Sequence, residues 1–68
     1  MEFDLEGAEF IQLNKLLKRL SWVESGGHAK YCIGEGDVIV NGEVEKRLRK
    51  KLRPGDKVEL EENRVVIK

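Results

Sequence analysis

The side chains that could do chemistry in this sequence fall into distinct sets. His28 and Cys32 stand at i and i+4, a spacing that can set a base beside a thiol on one face of a helix. Cys32, however, shares an apolar stripe with Ala29 and Ile33, so it reads as a core thiol rather than a nucleophile. One His and one Cys also fall short of the three or four ligands of a zinc site, so no metal and no cofactor is expected. The carboxylates are spread over termini and turns, with no pair that reads as buried. "GEGD", Gly34 to Asp37, is not followed by the Lys-Ser or Lys-Thr of a phosphate loop. The expectation is a protein that is not an enzyme.

The remaining set is cationic. "NGEVEKRLRKKLRPGD", Asn41 to Asp56, holds Lys46, Arg47, Arg49, Lys50, Lys51 and Arg53, six of the chain's thirteen basic residues within eight positions. One reading is a solvated connection that charge keeps soluble. The other is a phosphate clamp, and the composition favours it, because no acid interrupts the run from Lys46 to Arg53 and like charges so close repel. Leu48 and Leu52, four apart, would pin the run to the body and let Arg47, Arg49, Lys50, Lys51 and Arg53 project together. Arginine suits forked phosphate contacts and lysine adds point charge.

The elements that must position these groups are short. "EFDLEG" alternates Phe3 and Leu5 with acids, as a half-buried strand does. "EFIQLNKLLKRL" then predicts an amphipathic helix: Phe10, Leu13, Leu16, Leu17 and Leu20 form one stripe, and Lys15, Lys18 and Arg19 lie opposite. In "SWVESGG", Trp22 should wedge between elements, and Ser25 is an N-cap for a second short helix. That helix, "GGHAKYCIG", turns Ala29, Cys32 and Ile33 inward and Lys30 and Tyr31 outward, with His28 at its edge. Gly34 or Gly36 ends it through a left-handed residue. Its first turn leaves backbone N–H groups free, and Gly26 and Gly27 would let a phosphate approach them. Tyr31 could stack on an unpaired base.

"DVIVNGEVE" predicts a hairpin on an Asn41-Gly42 type I′ turn. "RPGD" is a proline-fixed turn with Gly55 free to take positive φ. Two more strands follow, around Val58–Leu60 and Val65–Ile67, with Glu62-Asn63 at the bend. Strands gathered after a helix pair give an α+β class, two short helices packed on a small, mainly antiparallel sheet.

The totals fit this frame. Sixty-eight residues allow one domain, 1–68, with a core too small to enclose a deep pocket as well. A single thiol and an acidic N-terminus point to a reducing, cytoplasmic setting with no membrane partner. The net charge of zero hides a division: residues 10–53 carry ten bases and five acids, while the two ends carry eight acids and three bases. Clustered cations of this kind are the footprint of a polyanion binder.

Together "ESGGHAK", "GDVIVNG" and "KLRPGDKV", behind a leucine-rich first helix, resemble the S-four RNA-binding domain, named after small-subunit ribosomal protein four. The resemblance is strongest over residues 10–60, and "SGGHAK" with "NGEVEKRLRKKL" is most similar to the small stand-alone bacterial members. It implies the αL motif fold, structured RNA as partner (ribosomal or transfer RNA, with the ribosome as a possible setting), no signal specific to DNA, and a monomer. Carried over, the RNA surface falls on Lys15, Ser25, Gly26, Gly27, His28 and Lys30, flanked by Lys18 and extended by Arg47, Arg49, Lys50, Lys51 and Arg53. Two departures matter. The Arg-Leu-Asp of many members is Gln12-Leu13-Asn14 here, and the Arg after the capping serine is Gly26. Both lose cations, so affinity should lean on Arg47 to Arg53.

Two rivals belong to other classes. The basic surface could dock an acidic protein, such as a ribosome or RNA-processing factor. A β-grasp sulfur carrier is suggested by "VNGEVE" and "GDKVEL", but it needs a C-terminal Gly-Gly where this sequence reads "RVVIK".

Overall fold

The computed structural model describes all 68 residues. Its elements are β1 (Glu2–Phe3), β2 (Ile11–Gln12), α1 (Leu13–Arg19), α2 (Gly26–Gly34), β3 (Val38–Val40), β4 (Glu43–Val44), β5 (Lys51–Leu52), β6 (Lys57–Leu60) and β7 (Asn63–Ile67). Five strands form one sheet in the order β1-β7-β6-β3-β4, and β2 with β5 forms a separate pair. All pairings are antiparallel except that of β1 with β7. The expected α+β class, two short helices on a small and mainly antiparallel sheet, is what the chain adopts.

Period-2 alternation decides which sheet face is covered. Val38 and Val40 of β3, Val58 and Leu60 of β6, and Val65 and Ile67 of β7 are buried. Leu13, Leu16 and Leu17 of α1 join them in one cluster with Ala29, Cys32 and Ile33 of α2. No polar or charged residue is buried. Trp22 and Leu20 pack half-buried against this cluster, as their apolar character requires.

Both helices close in the same way. In α2, Gly36 takes φ +80° while its N–H reaches the Ile33 carbonyl, and Asp37 N–H reaches that of Cys32. This is a Schellman closure, and it resolves the choice between Gly34 and Gly36 in favour of Gly36. In α1 the left-handed position is Ser21, φ +60°, with Ser21 N–H on Lys18 and Trp22 N–H on Leu17.

Several expectations need correction. The first helix begins at Leu13 rather than at Phe10, because Ile11 and Gln12 pair with Leu52 and Lys51. The first strand stops at Phe3, although Leu5 beyond it is buried. The last bend is at Glu61-Glu62, and Asn63 already pairs with Leu60. The basic connection is no free loop, since Lys51 and Leu52 within it form β5.

The Asn41-Gly42 turn has φ of +52° and +85°, the two positive values a type I′ turn demands. Asn41 also ties this turn to the Pro-Gly turn. Its Nδ2 donates to Asp56 Oδ1 at 3.0 Å, and its Oδ1 accepts from Lys57 N–H at 2.9 Å.

Candidate nucleic-acid interface

The basic run is built on contacts at both of its ends and in its middle. At the start, Glu45 N–H donates to the Val38 carbonyl at 3.0 Å, which carries the β3–β4 ladder one residue past β4. The Glu45 carboxylate, with a side chain only 12% exposed, then accepts from Arg47 three times. The donors are the Arg47 backbone N–H (2.9 Å), Nε (2.9 Å) and Nη2 (3.1 Å). The Arg47 hydrogen bond holds the Glu45 carboxyl below its ordinary value of 4.5, against the opposing effect of burial. The guanidinium is raised in turn by the same contact.

A turn follows, with Lys50 N–H on the Arg47 carbonyl. Leu48 packs half-buried against the core, and Leu52 is wholly buried. The chain is stitched to the start of α1 by Leu13 N–H on the Lys50 carbonyl (2.8 Å) and Asn14 N–H on that of Leu48 (3.1 Å). At the far end, the Asp56 carboxylate accepts from Arg53 N–H at 2.8 Å. Two acids just outside the run therefore bracket it, and counting charges only between Lys46 and Arg53 misses them.

This framework makes Arg47, Arg49, Lys50, Lys51 and Arg53 line one open concavity of about 500 Å³, with no other residue on its walls. The joint projection expected of these side chains is present. Phe10 supports it from beside the strand pair: Lys51 Nζ lies 4.9 Å and Arg53 Cζ 5.7 Å from the ring centroid. These are cation–π distances, which steady long side chains that would otherwise rotate freely. The sequence put Phe10 in a helical stripe. Its true partners lie some forty positions on, and no local signal reveals them.

The helix pair presents a second group of cations. Lys15, Lys18, Arg19 and Lys30 are exposed, as is Tyr31. None of them lines the concavity. Ser25 caps α2 as expected, its Oγ accepting from His28 N–H at 3.1 Å. His28 Nδ1 in turn accepts from Glu24 N–H at 3.2 Å, so its ring faces back along the chain and leaves Nε2 free. No hydrogen bond joins it to Cys32, which is buried and whose thiol is pushed up chiefly by that burial. The two do not form a dyad.

A Cβ at Gly26 or Gly27 would meet nothing closer than Lys18 Nζ at 4.0 Å or Ser25 Oγ at 3.9 Å. The fold itself therefore does not demand glycine at either position. The backbone N–H groups of Gly26 and Gly27 stay without a partner, while that of His28 is taken by the Ser25 cap, and Lys18 lies beside Gly26.

These features define a small α+β domain with an uncovered cationic concavity on a strand pair and further cations on a helix pair. Residues 3–68 match the S4 domain family, and the chain belongs to it. Among its relatives is a probable ribosome maturation protein of Bacillus subtilis, RlbA, 43% identical over 78% of this chain and 75% of that one. YbcJ of Escherichia coli is 45% identical over 82% of this chain and 80% of its own length. The solution structure of YbcJ, described as revealing an αL motif involved in RNA binding, superposes with a TM-score of 0.73 at 39% identity. It covers 97% of this chain and 84% of that one. The fold is accordingly the αL motif. No helix is long and apolar enough to cross a membrane.

Proposed function

We propose that this protein binds structured RNA through its cationic surface, without catalysing a reaction. The observation that carries the reading is the concavity whose walls are Arg47, Arg49, Lys50, Lys51 and Arg53 alone. Five cations gathered in one concavity, with Lys51 on the paired strand β5, suit a run of phosphates, which no neutral ligand would need. Lys15, Lys18 and Lys30, with the open first turn of α2 at Ser25, Gly26, Gly27 and His28, offer further phosphate contacts. Shape and backbone recognition should dominate, since folded RNA presents few readable base edges. Kinship with YbcJ and RlbA supports RNA as the ligand, and RlbA's name favours ribosomal over transfer RNA. The protein acts as a monomeric single domain in the cytoplasm, where Cys32 stays reduced.

The test is a double reversal, Arg49→Glu with Lys50→Glu, titrated against labelled ribosomal RNA. Affinity should fall roughly tenfold or more, the loss of two charge-assisted contacts. The circular dichroism spectrum should be unchanged. Undiminished binding would remove the concavity from the interface. Retention of a cellular protein partner in excess bulk RNA would favour docking of an acidic protein instead.

A further inference from the structure

Arg47 is the only cation of the basic run that carries an ion pair. A carboxylate in a phosphate site is at first sight a defect, because it repels the ligand. The geometry argues otherwise. Glu45 is fixed to the sheet by its own backbone bond to Val38, its side chain is 12% exposed, and it does not line the concavity. Besides the Arg47 backbone N–H, it engages only the Nε and one Nη2 hydrogen of the guanidinium. A guanidinium has five N–H donors, so three stay free, two of them on the Nη1–Nη2 edge that Glu45 leaves open. Arg47 itself is 71% exposed and lines the concavity.

We propose that Glu45 is a positioning residue for the phosphate-binding concavity. It grips Arg47 by its Nε edge and presents the opposite edge, ready oriented, to a phosphate. The inference rests on the RNA reading and extends it to a residue of the wrong charge. Arginine loses much rotamer freedom when it is held, and here that loss is met during folding instead of on binding.

The sign of one substitution tests this. If Glu45 were only a nearby negative charge, Glu45→Gln would strengthen binding. The proposal expects the reverse. Against a fluorescein-labelled RNA hairpin, Glu45→Gln should bind about three- to tenfold more weakly. Its slope of log affinity on log salt should be shallower by about 0.7–0.9, one phosphate contact fewer. In an Arg47→Ala background the same change should cause no further loss. Without RNA, the Arg47 Nε–H resonance should be slow to exchange in the wild type and fast in Glu45→Gln. Wild-type binding that Glu45→Gln leaves equal or tighter, with an unaltered slope, overturns the role of Glu45 alone. Failure of the wild type to bind the hairpin at all overturns the RNA reading, and this proposal with it.

Discussion

At the scale of single residues, acids decide how the bases are used. Glu45 and Asp56 flank the basic run without entering it, and each accepts from an arginine of the run, Glu45 from the Arg47 side chain and Asp56 from the Arg53 backbone. The Glu45 carboxyl titrates below 4.5 in the fold because Arg47 stabilises its charged form. A depressed carboxyl contributes stability above its unfolded value and loses it as pH falls through the folded value. Wild type should therefore be more stable than Glu45→Gln at neutral pH. The difference between their urea midpoints should close as pH is lowered from about 4.5 toward 2. A gap that persists at low pH would mean that shape, not charge, holds Arg47.

Secondary-structure elements supply the rigidity. Strand β5 is only two residues long, yet its wholly buried Leu52 anchors the basic run to the core. Leu52→Ala should cost about 2–5 kcal/mol by urea denaturation. That is a large share of the roughly 3–10 kcal/mol expected of a domain this size. A cost near zero would mean that the run is not moored there. The α1 closure offers the opposite test. Ser21 sits at φ +60°, where a side chain is strained and glycine is not. Ser21→Gly should raise the melting temperature by a few degrees, an increment of about 0.5–1 kcal/mol. A lower melting temperature would show that unfolded-chain entropy outweighs the relieved strain.

Over the whole molecule, charge is divided by region. Two of the three ion pairs, Glu59–Arg64 and Glu2–Lys68, lie among the strands formed by the chain's ends. Of the bases of those ends Arg64 and Lys68 are paired, while among the ten of the middle only Arg47 is. If about five phosphates are neutralised, log affinity for RNA should fall with log salt at a slope near −3.5 to −4.5. Filter binding across a salt series measures it. A slope near zero would point to apolar or purely base-specific recognition.

The sequence by itself determined whatever depends on neighbours within a turn or two. The Asn41-Gly42 and Pro54-Gly55 turns, the Ser25 cap, the inward stripe of Ala29, Cys32 and Ile33, and the density of cations from Lys46 to Arg53 are local facts of backbone preference and periodicity. Family resemblance in three short motifs added the fold. Tertiary structure alone decided where Phe10 goes, since Ile11 and Gln12 are drawn out of a helical pattern by strand partners forty residues away. It also set a two-residue paired strand, Lys51–Leu52, inside a stretch that reads as a connection. Pairing across that distance rests on burying Leu52 and satisfying backbone donors of α1, and neither requirement leaves a periodic trace in the chain. The role of Glu45 lies between these cases: its spacing from Arg47 is visible in the sequence, but its near-burial is a property of the fold.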